Sequence, residues 1–314
     1  MILITSPFDF VEKKNEILND ETIVYAYGAS RDEVLEHATH NNFLGWVCSP
    51  VPEYPIDSSI LEYFPNLKVL ASPSTGSNHI DRNYLEKNNI TFFCLKNSEI
   101  VNQIYASSEF TFALLIAVIR KLPLATKIVH QGRWRADEEM LRGRELHGLR
   151  IGIIGYGRIG SNLAKYCHAF SMKISAYDPY VDIENKNVLQ VNNLDQMLPK
   201  IDILACCVHL NNETQGMINE KIFSQLPCGS FFINTSRGEV VNEADLLKNL
   251  KTKHLQAAGL DVISDEFNRN NSDHPLIKYS QSNSNLIISP HIAGLTFESE
   301  TKAQLAALNA VKKI

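Results

Sequence analysis

The segment Ile151-Gly-Ile-Ile-Gly155-Tyr-Gly157-Arg158-Ile159-Gly160 constrains this chain more than any other. An apolar, β-branched run ends in glycines spaced G-x-G-x-x-G, and an amphipathic stretch reaching Phe170 follows at once. That order predicts a strand, a tight turn and a helix. Gly155 permits the turn, Gly157 lets the backbone approach a pyrophosphate, and Gly160 allows close packing of helix on strand. The helix N-terminus favours the anion, and Arg158 adds a charged contact. A second strand is expected to end at Tyr177-Asp178, about twenty residues past the glycines, where an acid accepts hydrogen bonds from the adenosine ribose. Negative charge there repels a 2′-phosphate, so the expected dinucleotide is NAD, with Asp178 at its ribose.

The rest of the chain repeats the same alternation. Short β-rich runs at Ile2–Thr5, Thr22–Tyr27, Phe43–Cys48, Leu67–Ala71 and Ile90–Leu95 are separated by helical patterns at Arg31–His40, Ser58–Phe64 and Arg82–Asn88. A second series has strand candidates at Ile151–Ile154, Lys173–Tyr177, Ile203–Val208, Ser230–Asn234, Gln256–Val262 and Leu286–Ser289. Strands alternating with helices imply parallel sheets with crossover helices, and 314 residues suit two such domains. The fold class is therefore α/β, with two doubly wound parallel-sheet domains. The expected division is a substrate domain of residues 1–100 and 292–314 and a nucleotide domain of residues 101–291. One long helix from Tyr105 to Gln131, kinked at Pro123, is expected to join them, Thr296–Ile314 is expected to be helical, and the polar stretch Asn268–Ser284 reads as a loop.

Three polar residues fall just beyond predicted strands of the second series: Arg237 after Phe231–Ser236, Glu266 after Gly259-Leu-Asp-Val, and His291 after Ile287-Ile-Ser-Pro. Open α/β sheets bind ligands at the carboxyl ends of their strands. Oxidising a 2-hydroxy acid requires a base for the hydroxyl proton, a cation for the carboxylate and carbonyl oxygen, and a nicotinamide to take the hydride. His291, Arg237 and NAD fill these roles, and Glu266 beside the imidazole would fix its tautomer.

The chain resembles the D-isomer-specific 2-hydroxyacid dehydrogenases along nearly its whole length. The likeness rests on Ser74-Thr-Gly76-Ser-Asn78-His-Ile-Asp81, Ala106-Ser-Ser-Glu109, Gly148–Gly160, Asn234-Thr-Ser-Arg237-Gly238, Gly259-Leu-Asp261-Val and Ser289-Pro-His291-Ile-Ala-Gly294. It implies a Rossmann NAD-binding domain and a flavodoxin-like substrate domain, with Arg237 binding substrate, His291 as acid/base and Glu266 as its partner. It further implies that Asp261 holds the nicotinamide carboxamide, that Thr235, Ser236 and Arg237 line the cofactor, and that Arg158 and Ile159 contact the pyrophosphate. Ser74, Thr75 and Gly76 would bind the substrate carboxylate through backbone N–H groups. A homodimer formed through the nucleotide domain is implied by the same likeness, and Trp134 in Gln131-Gly-Arg-Trp134-Arg reads equally as a contributor to it or as a core residue.

Departures from the family pattern bear on the substrate. His209-Leu-Asn211 stands where relatives carry His-x-Pro, and Cys48-Ser49-Pro50 stands where phosphoglycerate-type relatives carry an Arg. One phosphate partner is thus missing, while hydroxypyruvate, glyoxylate, pyruvate-like and modified-sugar acids all stay open. With the chain ending at Ile314, serine feedback through a C-terminal regulatory domain is not expected. Two other readings are weighed: an NAD-sensing, corepressor-like interaction protein of the same fold, against which the Arg, Glu and His together argue, and a formate dehydrogenase, whose family places Gln where Glu266 stands.

A net charge of -5 and a pI near 6.1 give no electrostatic reason to bind nucleic acid or an anionic membrane. The six cysteines lack CxxC pairs, so neither a metal site nor a redox pair is expected. Met1-Ile-Leu-Ile-Thr reads as a first strand and not a leader, and the apolar run near Ala113–Ile119 is too short to span a bilayer, so a cytoplasmic protein is expected.

Overall fold

The computed structural model describes residues 1–77, 79–135, 138–266 and 271–313; Asn78 of the first motif and the start of the Asn268–Ser284 stretch lie outside these residues. The chain divides into two compact units, one of Met1–Ile104 with Leu295–Ile314 and one of Tyr105–Gly294.

The first unit begins with β1 (Ile2–Ile4), α1 (Lys14–Leu18), β2 (Ile23–Tyr25), α2 (Arg31–His40), β3 (Gly45–Val47), α3 (Ser58–Leu61), β4 (Val69–Ser72), α4 (Arg82–Lys87) and β5 (Thr91–Cys94). Its strands pair in parallel in the order β2-β1-β3-β4-β5, the flavodoxin-like arrangement. The central strands β1, β3 and β4 are buried on both faces, so alternate side chains feed two cores. Leu3, Trp46 and Leu70 pack with Val34 of α2 and Ile60 of α3, while Ile4, Val47 and Ala71 pack with Ala307, Leu308 and Val311 of the C-terminal helix. Ser30 starts α2 with a full capping box, its side chain accepting from Glu33 N–H while Glu33 reaches back to Ser30 N–H.

The second unit contains α5 (Ala106–Ile119), α6 (Leu122–His130), α7 (Glu138–Leu141), β6 (Arg150–Ile154), α8 (Arg158–Ala169), β7 (Lys173–Tyr177), β8 (Val188–Gln190), β9 (Ile203–Cys206), α9 (Glu220–Phe223), β10 (Ser230–Asn234), α10 (Glu243–Lys251), β11 (Leu255–Leu260), α11 (Pro275–Ser282) and β12 (Leu286–Ile288). The last helix, α12 (Phe297–Val311), belongs to the first unit. The seven strands run parallel in the order β12-β11-β10-β9-β6-β7-β8. β6 pairs with β7 on one side and β9 on the other, so the winding reverses there. Such a reversal opens a crevice at the carboxyl ends of the strands.

Ile151, Ile153, Ala205 and Ile233 face Leu114, Leu115 and Val118 of α5 and Leu163 and Cys167 of α8. Ile154, Leu204, Phe232 and Leu260 face Phe223 of α9 and Leu246 and Leu250 of α10. Glu99–Ile119 is long and apolar enough to cross a membrane by length and composition. In the fold its α5 portion is a core helix, lying so close to β11 that a Cβ at Gly259 would sit 2.8 Å from Leu114 Cγ and Val118 Cγ2.

The expected single helix from Tyr105 to Gln131 is two helices, broken at Lys121 in left-handed backbone (φ 54°). Pro123 lies in the first turn of α6, where its missing N–H costs nothing, so it starts a helix instead of kinking one. The returning chain meets the end of α5, with Arg144 N–H donating to the Ile119 carbonyl at 3.4 Å. The stretch read as a loop contains α11, with Pro275 in its first turn, His274 as its cap and Leu276 buried, while β8 is a strand the sequence reading omits.

In the first unit His79 is a largely buried imidazole that donates to the Ser49 backbone and whose Nε2 has no hydrogen-bond partner among the described residues. Burial pushes its pKa down to about 4 from 6.5. The folded state therefore resists protonation, the unfolded chain takes the proton first, and stability falls as pH drops from about 6.5 to about 4, levelling off below. The loss is at most roughly 3 kcal/mol, less screening by the residual exposure. His79→Gln is expected to flatten the fall in Tm between pH 7 and pH 4. Equal slopes in variant and parent would sink this account.

Candidate functional site

The glycine turn follows β6. Gly155 has φ +89°, and a Cβ on it would lie 2.6 Å from the Cys207 carbonyl oxygen; a Cβ on Gly160 would lie 2.1 Å from the Gly155 oxygen. Only glycine lets the strand, the turn and the first turn of α8 come this close. Gly157 heads α8 without a side-chain cap, and a Cβ there meets nothing within 4 Å. The helix start thus borders open space, which fits the pyrophosphate of a dinucleotide, since a helix N-terminus favours an anion. Arg158 and Ile159, in the first turn, are partly buried, and desolvation lowers the Arg158 pKa.

Asp178, just past β7, makes two contacts that the sequence reading did not assign. Its Oδ2 accepts from Tyr156 N–H inside the glycine turn at 2.8 Å, and its Oδ1 from Tyr180 N–H at 2.9 Å. The expected ribose acid therefore also ties the end of β7 to the glycine turn. The Tyr180 hydroxyl is in turn hydrogen-bonded to Glu213, in the loop beyond β9.

Beyond β10, Asn234 braces the turn that carries Arg237: its Oδ1 accepts from Ser236 N–H (3.0 Å) and Oγ (2.6 Å), and its Nδ2 donates to the Arg237 carbonyl (2.9 Å). Thr235 and Ser236 are buried, and Thr235 Oγ1 pairs with Thr111 Oγ1 of α5 at 2.6 Å. Arg237 is partly exposed and donates from Nη1 to the Ser236 carbonyl at 2.6 Å. A Cβ at Gly238 would lie 1.9 Å from Ile263 C and 2.1 Å from Ser264 N, so the Arg237 turn sits directly against the loop leading to Glu266.

Asp261, beyond β11, is 1% exposed, and its carboxylate accepts from Ser289 Oγ (2.5 Å), Ile292 N–H (3.0 Å) and Ala293 N–H (2.8 Å). Its carbonyl also accepts from His291 N–H at 2.8 Å. These bonds hold the turn beyond β12, in which His291 has left-handed backbone (φ 54°). Asp265, next to Glu266, is also left-handed (φ 54°). Such residues persist where surrounding bonds over-determine them. The two turns meet at the side chains: His291 Nδ1 lies 2.6 Å from Glu266 Oε1, with the imidazole 33% and the carboxylate 13% exposed. Arg237, Glu266 and His291 thus leave neighbouring strands β10, β11 and β12 on the edge occupied by the glycine turn and Asp178.

Ser74, Thr75 and Gly76 follow β4 in the first unit. Ser74 Oγ donates to the Gly76 carbonyl at 2.6 Å and lies 3.0 Å from Ser72 Oγ, while the Ser74 carbonyl accepts from Leu95 N–H at 2.9 Å. The loop is a braced turn. No group of three or more His, Cys, Asp or Glu placed to hold a metal ion occurs among the described residues.

Residues 112–293 match the family model for the D-isomer specific 2-hydroxyacid dehydrogenase NAD-binding domain. Over 288 residues the chain is 34% identical to a glyoxylate reductase of Thermofilum pendens, a match spanning 90% of this chain and 81% of that protein. It is 32% identical to a hydroxypyruvate reductase of Blautia hydrogenotrophica over 265 residues, 82% of this chain and 79% of that one. Among solved structures, the D-lactate dehydrogenase of Aquifex aeolicus in complex with NAD and lactic acid is 27% identical, with a TM-score of 0.78 over 99% of this chain and 94% of that one. The TT0316 protein of Thermus thermophilus is 26% identical, with a TM-score of 0.85 over 99% of this chain and 96% of that one. On this fold, this site and these matches, the chain belongs to the D-isomer specific 2-hydroxyacid dehydrogenases and is an NAD-dependent oxidoreductase of that family.

Proposed function

We propose that this enzyme transfers hydride between NAD(H) and a small D-2-hydroxy acid or its 2-keto acid, of the size of glyoxylate or hydroxypyruvate, with His291 as the acid/base. The 2.6 Å contact between His291 Nδ1 and Glu266 Oε1 carries this reading. A carboxylate only accepts, so the contact keeps a proton on Nδ1 and leaves Nε2 to give and take the substrate proton. Arg237, planar and permanently charged, binds the carboxylate and polarises the keto oxygen. Glyoxylate reductase and hydroxypyruvate reductase relatives support a small acid, as does Cys48-Ser49-Pro50, which offers no cation for a phosphate.

NAD supplies the hydride acceptor when bound. Gly155, Gly157, Arg158, Ile159 and Gly160 hold its pyrophosphate and Asp178 its ribose. Thr235 and Ser236 line it through their backbone, since their hydroxyls are engaged by Thr111 and Asn234. Asp261 accepts three bonds from the His291 turn and Ser289, which leaves a carboxylate lone pair for the nicotinamide carboxamide. Ser74, Thr75 and Gly76 bind the substrate carboxylate through the backbone. Exposed Leu122, Val129, Trp134 and Met140 supply apolar surface for a homodimer of cytoplasmic enzyme.

His291→Ala is expected to lower turnover of a 2-keto acid with NADH by ~10²–10⁴ while leaving NADH affinity within about twofold, as a fluorescence titration would read. Reduction requires His291 protonated and oxidation requires it neutral. The reduction rate should therefore fall as pH rises, and the oxidation rate should fall as pH drops. Turnover undiminished in the variant, or flat profiles in both directions, would contradict the assignment. At the other end of the cofactor, Asp178→Ser should weaken NADH binding by roughly tenfold or more through the lost charged hydrogen bonds, and should narrow the preference for NADH over NADPH. An unchanged ratio of the two Kd values would remove Asp178 from the ribose.

A further inference from the structure

We propose that Glu243 and His274 are positioning residues that hold Glu266 against the imidazole of His291. The inference rests on the acid/base reading above. Glu243 is the first residue of α10, and its carboxylate turns away from that helix toward the Glu266 loop. Its Oε1 accepts from Ser264 N–H at 2.7 Å, two residues before Glu266, and its Oε2 lies 3.0 Å from His274 Nε2. Both side chains are largely buried, at 17% and 14% exposure. His274 Nδ1 accepts from Leu276 N–H at 3.3 Å as the cap of α11. An accepting Nδ1 puts the proton on Nε2, so the imidazole donates to Glu243 while neutral.

The Glu266 loop is therefore gripped from two sides. From the β10 side, the bare backbone of Gly238 lies against Ile263 and Ser264. From the helix side, Glu243 holds the Ser264 amide and His274 holds Glu243. Beyond Glu266, Asn271 Nδ2 donates to the Glu266 carbonyl at 2.7 Å. Between these holds lies left-handed Asp265, the residue whose backbone sets where Glu266 starts. Stability alone is a weak reason for such a pair. Burial pushes the Glu243 carboxyl up, the Ser264 amide and His274 pull it back, and nearby Glu239 adds to the rise. Apolar side chains of like volume are often as stable in such places, but they cannot hold the Ser264 amide or aim the loop.

The test uses the full-length enzyme, with kcat and KM for a 2-keto acid, NADH Kd and Tm measured for His274→Asn and Glu243→Ala, each alone and combined with Glu266→Gln. Asn can still cap α11 but is too short to reach Glu243, so His274→Asn separates the helix cap from the positioning contact and carries the test if Glu243→Ala does not fold. Each single variant is expected to lower kcat by about tenfold with NADH Kd and KM within about twofold, and the further loss in the Glu266→Gln background should shrink below about threefold, because both changes act through one carboxylate. Equal losses in both backgrounds, or an unchanged kcat, would overturn the positioning role. If Glu266→Gln alone leaves kcat intact, the acid/base reading itself fails, and this inference with it.

Discussion

The buried carboxylate of Asp261 is the hinge of the site. It stands at the end of β11 and binds the chain leaving β12 through two amides and a hydroxyl, while its own carbonyl takes the His291 amide. A carboxylate excluded from water is costly unless it is hydrogen-bonded, and here two amides of the His291 turn and the Ser289 hydroxyl bond it. The same bonds hold His291 in left-handed backbone, a conformation that costs of order 1 kcal/mol or more in a non-glycine residue. The electrostatics of one buried acid thus sets the direction in which the imidazole leaves the sheet, and Glu266 meets it there.

Where Asp261 aims a side chain, the glycines allow backbones to touch. At Gly155, Gly160 and Gly238 the space a Cβ would occupy already holds a neighbouring main chain. Two of these contacts pack the glycine turn against the chain leaving β9 and against α8, and the third packs the Arg237 turn against the loop bearing Glu266. The Arg237 turn and the Glu266 loop thus meet main chain to main chain at Gly238. Asp178 adds a similar tie at the end of β7, since it grips the Tyr156 amide inside the glycine turn. The acid proposed to meet the ribose thus also stiffens the glycine turn.

These features explain which parts were legible in the sequence. β7 and β10 run over the residues expected of them: β10 is buried along its whole length, and β7 alternates buried Ile174 and Ala176 with less buried residues. The glycines, Asp178, Arg237, Glu266 and His291 stand out in the sequence because each lies in the turn or loop that follows an expected strand. The break at Lys121 was missed because a proline inside an apolar helical pattern reads equally as a kink or as the first turn of a new helix, and tertiary contact at the end of α5 decides between them. α11 was missed because Lys278, Tyr279, Ser280, Gln281 and Ser282 are polar enough for a loop, and what makes them helical is the His274 cap, the Pro275 start and one buried leucine.

Glu243 and His274 had no signature at all. In the sequence one is an ordinary acid in the first turn of a helix and the other is one of ten histidines. Their meaning appears only when α10 and α11 pack on the same face of the sheet, where Leu246, Leu250 and Leu276 share one core and bring the two polar side chains together at its rim. The apolar residues of these helices choose their place, and that placement turns a surface-type acid into a buried one needing two donors. Ser264 supplies one of them from the loop that carries Glu266, so one contact joins the packing of the helices to the placement of that loop.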